Sequence, residues 1–208
     1  MLVVVSLLAL AGVAAATVAR QSGDEGGAAE VTEVGVQGPH SPFKGALRPL
    51  TRPRDFSLRD QDGRLVSLRT LRGRIVVLSP MYTHCQDSCP LVAQQIRDAL
   101  GDLPSDESDQ VTALALSVDP ANDSPESAKS FLVKQRVRGY LDFLVGSRSE
   151  LRPVWHAYGF SAQTNRFEHN SYVVLIDRRG RQRVGFAIGF LTPESLLHDL
   201  RVLIEEKS

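Results

Sequence analysis

The sequence predicts an α/β domain in which a β-sheet is covered by helices. Two runs, RIVVLSP (residues 74–80) and VTALALSVD (residues 111–119), are almost continuously apolar, as is typical of strands buried on both faces. Amphipathic segments of helical length follow these runs, and two helices are predicted to begin with a proline directly after an N-capping residue, Ser124 or Thr192. Strands that alternate with helices of this length indicate a layered α/β architecture.

The predicted elements begin with a β-hairpin, because DFSLRDQDGRLVSL (residues 55–68) alternates apolar and polar residues around the turn sequence Asp62-Gly63. The helix after the first buried strand is predicted to begin at Pro90, and its apolar residues fall on one side: Leu91, Val92, Ile96, Ala99 and Leu100. The remaining elements are strand 111–119, a helix from Pro125, strand 141–146, a short helix over residues 147–159, two strands around Arg179-Gly180, and a last helix from Pro193. Every predicted helix therefore follows a strand.

The start of the chain predicts export or membrane attachment. Residues 1–19 carry no charged side chain and are long enough to span a bilayer. Small residues at positions 14–16 and 17–19 resemble signal cleavage sites, although the first basic residue, Arg20, follows the apolar run instead of preceding it. A buried core helix fits poorly because a polar, Gly-rich stretch comes next. We expect a signal peptide or membrane anchor, so that the rest of the protein lies outside the cytoplasm, anchored or secreted after cleavage.

The chain is predicted to consist of three segments. Residues 20–45 lack apolar periodicity and are rich in Gly, Ser and charge, which is typical of a flexible linker. The predicted organisation is a signal peptide or anchor at residues 1–19, a linker at residues 20–45 and a folded domain at residues 46–208.

The charge of the chain is balanced, with 24 Lys and Arg against 24 Asp and Glu. No run of basic residues stands out along the sequence. This balance argues against a nucleic-acid partner and against attachment to a bilayer through basic side chains.

Both cysteines of the protein lie in one short stretch, MYTHCQDSCP (residues 81–90). Cys85 follows a predicted buried strand, and Cys89 lies where the next helix is predicted to begin. Ligand sites in open α/β sheets lie at the carboxyl ends of strands, and a helix N-terminus stabilises a thiolate. The two thiols are therefore placed for reactivity.

Three kinds of site could use such a pair. A disulfide that tightens a surface loop would gain little here, because the loop that it closes is so short. Structural zinc normally needs four ligands, and the chain has no second pair of cysteines. Cu(I) is a soft ion of low coordination number, for which two thiolates and one imidazole suffice.

A third ligand would have to come from one of the histidines. His40 lies in the linker, His84 adjoins Cys85, and His156 and His198 lie within predicted helices, where packing or solvation is the usual role. His169 directly precedes an apolar strand that would lie near the core, so it is a candidate ligand beside the cysteine loop.

Three motifs together resemble the Sco/SenC family of copper chaperones for cytochrome c oxidase assembly: THCQDSCP (residues 83–90), SVDPANDSPE (residues 117–126) and EHNSYVVLIDRRG (residues 168–180). The resemblance runs from about Arg54 to Ile204. The family loop T-x-C-P-D-x-C-P is matched at Thr83, Cys85, Asp87, Cys89 and Pro90, and its V-D-P-x-x-D segment at Asp119, Pro120 and Asp123. His169 and Asp177 keep the interval between the family's copper histidine and a strand-end aspartate. The chain departs from the family pattern at Gln86, Glu168 and Asn170.

The resemblance implies a thioredoxin-like fold, with a central mixed β-sheet flanked by helices and an N-terminal β-hairpin. It implies a copper site for Cu(I), Cu(II) or both, formed by Cys85, Cys89 and His169, in which the cysteines are also a redox pair that can form a disulfide. The implied function is that of a membrane-tethered metallochaperone. Its copper acceptor would be the binuclear centre in subunit II of cytochrome c oxidase, and its other partner a copper donor or a thiol reductant.

A second function stays open, that of an extracytoplasmic thiol–disulfide oxidoreductase of the TlpA or thioredoxin type. Such proteins share the hairpin opening, but thioredoxins use C-x-x-C and place a cis-proline before the strand that faces the cysteines. This chain has no proline between Pro153 and Pro193. A peroxiredoxin has its threonine three residues before the cysteine, whereas Thr83 is two before Cys85. We therefore favour copper delivery. The protein would be an enzyme only if it also catalyses thiol–disulfide exchange.

Overall fold

The computed structural model describes residues 41–53, 55–162 and 172–206. Its strands are β1 (Ala46–Leu47), β2 (Ser57–Arg59), β3 (Leu65–Ser67), β4 (Ile75–Met81), β5 (Val111–Ser117), β6 (Asp142–Leu144), β7 (Tyr172–Ile176) and β8 (Gln182–Ala187). Its helices are α1 (Ser88–Gly101), α2 (Ser105–Ser108), α3 (Pro125–Lys134), α4 (Arg148–Tyr158) and α5 (Pro193–Glu205), with a 3-10 turn over Ile188–Phe190. Each strand and helix that the sequence predicts is present. Two short elements, β1 and α2, and the 3-10 turn were not predicted.

Six strands form one mixed sheet, in the order β1-β8-β7-β4-β5-β6. β4, β5 and β6 run parallel, whereas β7 is antiparallel to both β4 and β8. The carboxyl ends of β4 and β5 therefore lie at the same end of the sheet, where Met81 pairs with Ser117. The predicted mixed sheet flanked by helices is confirmed.

Both faces of this sheet are covered, one by three helices and the other by one helix and the hairpin. Neighbouring residues of β4 point into two different apolar clusters, with Val77 in one and Leu78 in the other. The first cluster contains side chains from α1, α3 and α5, and the second contains side chains from α4 and the hairpin. Every residue of β4 is buried, which explains why its sequence is apolar without alternation.

The predicted hairpin is formed by β2 and β3, which pair as a separate two-stranded ribbon. In its turn, the carboxylate of Asp60 accepts hydrogen bonds from the backbone N–H groups of Asp62 and Arg64, at 2.8 and 2.9 Å. Gly63 has a φ of 79°, a left-handed conformation that glycine adopts without steric cost. The hairpin is joined to the rest of the domain by a backbone bridge between Arg59 and Val145, and by the Gln61 side chain, whose oxygen accepts from the backbone N–H of Phe143 at 2.7 Å.

The packed part of the chain includes residues from the end of the predicted linker. Phe43 is only 3% exposed, and β1 pairs with β8 at the edge of the sheet. Asp199 of α5 accepts hydrogen bonds from the backbone N–H groups of Lys44 and Gly45, at 2.7 and 2.9 Å. Residues 1–19 and most of the linker lie outside the described residues. Within the described ranges, none of the helices combines the length and the apolar character that crossing a membrane requires.

Helices α3 and α5 begin at the predicted caps. The side chains of Ser124 and Thr192 each accept a hydrogen bond from the backbone N–H of a serine three residues later, at 3.1 Å in both cases. The hydroxyl of that serine accepts the backbone N–H of the capping residue in return, which completes a capping box.

Helix α1 begins at Ser88, two residues earlier than predicted, so Cys89 lies in its first turn. Four of the five apolar residues predicted to share its inner side are buried: Val92, Ile96, Ala99 and Leu100. Leu91 is 49% exposed instead. The buried residues of α1 follow the i, i+3, i+4, i+7 spacing of one helix side counted from Cys89, and Leu91 falls outside that spacing.

Candidate dithiol site

The two cysteines lie at the end of the sheet where β4 and β5 finish. The parallel pairing of β4 with β5 continues to the residue after β5: the backbone N–H of Val118 donates to the carbonyl of Met81 at 3.0 Å. The chain then leaves the sheet through residues 82–87, which we call the thiol loop, and enters α1. Cys85 and Cys89 are free thiols and are buried, at 7% and 5% exposure. The structure therefore confirms the predicted position of the pair between a buried strand and a helix start.

The sulfur of Cys85 serves as the cap of α1. Asp87 precedes the helix, but its side chain makes no capping hydrogen bond. Instead, the backbone N–H of Cys89 donates to Cys85 Sγ at 3.2 Å, and Ser88 Oγ lies 3.5 Å from the same sulfur. An anion at this point is stabilised by the free N–H groups and the positive end of the helix dipole.

The two thiols ionise very differently. Hydrogen bonding with the Cys89 side chain lowers the pKa of Cys85 to about 5, with further help from Ser88 and the Cys89 backbone. The same contact with Cys85, together with burial, raises the pKa of Cys89 above its ordinary value. Burial and the neighbouring Cys85 also raise the pKa of the Tyr82 hydroxyl. The pair therefore titrates as a unit and carries one negative charge near neutral pH, held on Cys85.

A carboxylate fixes the start of the thiol loop. Both the backbone N–H and the hydroxyl of Thr83 donate to Asp123 Oδ1, each at 2.8 Å, and Ser117 Oγ donates to Asp123 Oδ2 at 2.6 Å. The sequence had singled out Asp123 only as part of a motif, without a role. Its position a few residues beyond a buried parallel strand was the signal that could have placed it beside the loop.

The structure brings together two of the three predicted metal ligands. His169 lies in residues 163–171, outside the described residues, so its place beside the thiols stays a prediction. Among the residues that the structure describes, no group of three or more His, Cys, Asp or Glu is arranged to hold a metal ion. The described histidines have other surroundings: His84 Nδ1 lies 3.1 Å from Thr83 Oγ1, His156 is exposed on α4, and His198 Nδ1 lies 2.9 Å from Asp199 Oδ1.

The donor set of the pair fits a soft metal ion. Two sulfur atoms lie at one helix start, one of them already ionised near neutral pH, and both are shielded from bulk water. Thiolates of this kind favour Cu(I), zinc and iron–sulfur clusters over hard ions such as magnesium or calcium. Two thiolates fall short of the four ligands of structural zinc, so low-coordinate Cu(I) fits the pair better.

The fold and the dithiol loop together define a thioredoxin-like protein whose two cysteines have three residues between them, where the thioredoxin motif has two. The model of the SCO1/SenC family matches residues 47–205, which is nearly all of the folded domain. The chain therefore belongs to the SCO1/SenC family.

Two solved structures of relatives superpose on most of the chain. ScoI of Bradyrhizobium japonicum, solved with copper bound, is 28% identical, covers 74% of this chain and 99% of its own, and has a TM-score of 0.63. BsSco, a member of the Sco family of cytochrome c oxidase assembly proteins in which a disulfide switch was identified, is 26% identical, with 77% and 98% coverage and a TM-score of 0.66.

Curated relatives match over shorter stretches. A putative copper-binding protein of Stutzerimonas stutzeri is 32% identical over 104 residues, which is 50% of each chain. The SCO1 protein homolog of Bacillus subtilis is 34% identical over 98 residues, or 46% of this chain and 50% of the relative. The chain thus spans about half the length of these two relatives.

Proposed function

We propose that this protein is a copper metallochaperone that works outside the cytoplasm and delivers copper to the binuclear centre in subunit II of cytochrome c oxidase. The observation that carries the proposal is the buried thiol pair at the start of α1, where the backbone N–H of Cys89 donates to Cys85 Sγ and the pKa of Cys85 is lowered. Membership of the SCO1/SenC family supports it, as does the copper bound in the Bradyrhizobium relative.

In this proposal copper is cargo, held by Cys85, Cys89 and His169. Cys85 offers a thiolate at once, whereas Cys89 has to lose its proton when the ion binds, because its pKa is raised. Copper binding should therefore release about one proton from the pair near neutral pH.

The course of β7 supports His169 as the third ligand. β7 is antiparallel to β4, with Val174 opposite Leu78, so β7 begins at the end of the sheet where β4 finishes. Tyr172, the first residue of β7, is three residues after His169 in the chain. This closeness in the chain to a strand that begins at the same end of the sheet is what supports His169 as a ligand.

The site suits transfer better than permanent retention. Two thiolates and one imidazole leave room for a partner's thiols to attack the ion, so copper can pass on through intermediates shared between the two proteins. The apolar segment at residues 1–19 and the linker that follows would hold the domain near a membrane-bound acceptor. The copper donor, or a thiol reductant that keeps the pair reduced, would be the second partner.

A second candidate function is thiol–disulfide exchange outside the cytoplasm. The low pKa of Cys85 and the raised pKa of Cys89 favour it, because they divide the pair into an attacking thiolate and a second, resolving thiol. The described residues contain no cis peptide bond, and the sequence has no proline between Pro153 and Pro193. The cis-proline with which thioredoxins bind their substrates therefore has no counterpart, which is why copper transfer is preferred.

Copper content tests the proposal. The reduced full-length protein, purified in detergent, should retain one copper ion per chain after dialysis against a competing chelator. Either Cys85→Ser or Cys89→Ser should abolish this retention, because one thiolate cannot hold Cu(I) against competing thiols. His156→Ala, at an exposed histidine of α4, is the control and should leave it unchanged. Stoichiometric copper in the double serine variant would refute the site.

A further inference from the structure

The carboxylate of Asp123 joins the thiol loop to the rigid part of the domain. Its Oδ1 accepts from the backbone N–H and the hydroxyl of Thr83, and its Oδ2 accepts from Ser117 Oγ. All three of these donors are neutral, and in the described part of the chain Asp123 forms no ion pair. Burial accordingly raises the pKa of this carboxyl group. Asp123 is half-buried, and a partly desolvated carboxylate without a cationic partner is costly, which indicates a specific role.

The elements around Asp123 are themselves held in place. Ser117 ends β5, and its carbonyl accepts the indole N–H of Trp155 from α4 at 2.9 Å, in a buried contact. On the other side, the Thr83 hydroxyl lies 3.2 Å from Ser127 Oγ, which belongs to the capping box of α3. The carboxylate is thus anchored to β5 through Ser117, which α4 holds in place through Trp155. Through Thr83 it fixes the thiol loop beside β5 and the start of α3.

The loop in turn sets the place of the reactive sulfur. Thr83 is two residues before Cys85, and a turn between them is closed by the Cys85 backbone N–H, which donates to the carbonyl of Tyr82 at 3.3 Å. From there Cys85 Sγ reaches the backbone N–H of Cys89 at 3.2 Å. If Thr83 moves, the sulfur loses this position at the start of α1.

We propose that Asp123 is a positioning residue for the thiol pair: by holding Thr83 it keeps Cys85 Sγ against the amino end of α1, and so sets the balance between the dithiol and the disulfide. The inference concerns the protein before any metal binds and does not depend on the proposed function. A copper chaperone and a thiol reductase would need the same positioned pair.

The consequence is a shift of the redox equilibrium. In the reaction with glutathione disulfide, the two thiols form one intramolecular S–S bond, and the glutathione S–S bond is broken to give two molecules of glutathione. The contacts of Cys85 Sγ with Cys89 N–H and Ser88 Oγ stabilise the reduced form, as stabilisation of the dithiol does in strongly oxidising thiol proteins. Loss of Asp123 should weaken these contacts and favour the disulfide.

The test compares two aspartates, the half-buried Asp123 and the buried Asp60, whose carboxylates each accept three hydrogen bonds. Asp123→Ala should raise the equilibrium constant for disulfide formation with glutathione about threefold to tenfold, or about 15–30 mV toward more reducing potentials. Asp123→Asn should stay within about twofold of wild type, because its amide oxygen can still accept from Thr83. Asp60→Ala is the matched control: Asp60 is 1% exposed and accepts from Asp62 N, Arg64 N and Arg64 Nε in the hairpin turn, away from the thiols. It should shift the constant less than twofold.

A second variant keeps the test decisive if Asp123→Ala does not fold. Thr83→Val removes the hydroxyl donor while leaving the backbone N–H bond to Asp123, and it should move the equilibrium in the same direction by a smaller factor, about twofold to threefold. An Asp123→Ala constant within twofold of wild type would overturn the proposal. An equal shift in Asp60→Ala would do the same, because general destabilisation would then explain the effect. Should Asp123→Ala be unfolded, an unchanged constant in Thr83→Val is the overturning result.

Discussion

Cys85 and Cys89 are the same residue type in nearly equal burial, yet their pKa values shift in opposite directions. The hydrogen bond between the two side chains lowers the pKa of Cys85 and raises that of Cys89, and the backbone N–H of Cys89 stabilises the Cys85 thiolate further. The sequence predicted that a thiolate would be stabilised here, from the position of the pair between a strand and a helix. Which cysteine would hold the charge depends on where the helix begins, and the sequence placed that start two residues too late.

The pH dependence of alkylation should report this asymmetry. Cys85 is expected to react with iodoacetamide at a rate that rises with pH through a midpoint near 5 and is level above pH 7, because the thiolate is the nucleophile. In Cys89→Ala the midpoint should move upward, since the largest cause of the lowered pKa is removed. Cys85→Ala, which leaves only the buried Cys89, should react slowly up to pH 9. A wild-type midpoint near the ordinary thiol value of about 8.5 would contradict the assignment.

The sequence says more about His169 than the structure does, because His169 lies outside the described residues. Its assignment rests on the family motif and on the start of β7. We expect His169→Ala to fold normally and to bind copper less tightly, with a larger loss for Cu(II) than for Cu(I), because imidazole suits Cu(II) and two thiolates already satisfy much of the softer Cu(I). Spectroscopic titration with Cu(II) measures this, with His156→Ala as the control. An unchanged spectrum and affinity would remove His169 from the ligands.

At the scale of elements, the parts with strong patterns were predictable and the short ones were not. β4 and β5 are almost continuously apolar runs, and α3 and α5 have proline after a capping residue, so each was placed correctly. β1 has only two residues, too few for any periodicity, and it exists because it pairs with the edge of β8. Leu91 was misplaced because it does not fit the helical spacing of Val92, Ile96 and Leu100, which are buried, and it lies on a different side of the helix.

The central strand should dominate the stability of the domain. Leu78 of β4 is fully buried, and Leu78→Ala should lower the free energy of unfolding by about 2–5 kcal/mol, the cost of lost burial plus a cavity. Leu65→Ala is a matched control on β3, where the side chain is 64% exposed, and it should change the free energy by no more than about 0.5 kcal/mol. Urea unfolding of the reduced, metal-free protein compares them. Equal effects would contradict the description of β4 as the core strand.

At the scale of the whole molecule, the fold buries both faces of the sheet and leaves the thiol loop at the end where the parallel strands finish. The family resemblance predicted the mixed sheet, and the apolar strand followed by a helix predicted the loop that carries the cysteines. The structure shows in addition that the motifs at residues 83–90 and 117–126 lie at the ends of neighbouring strands. The strand-end position of Asp123 could have placed it near the loop, but its hydrogen bonds with Thr83, across 40 residues of chain, could not be predicted. Such contacts follow from strand order and register, which the sequence does not state directly.

Thermal melting with and without copper tests the central claim most directly. Copper should stabilise the folded dithiol, because only folding brings the ligands together. At free Cu(I) about a thousand times Kd, ligation contributes roughly 4 kcal/mol, or a rise in melting temperature of about 8–16 °C for a domain of this size. The oxidised protein, in which Cys85 and Cys89 form a disulfide, should show no such rise. The measurement therefore melts reduced and oxidised protein, each with and without buffered Cu(I), beside an assay of disulfide reduction. A copper-dependent rise confined to the reduced protein is the predicted result; a reduced melt that copper leaves unmoved, together with rapid disulfide reduction, would contradict the chaperone function.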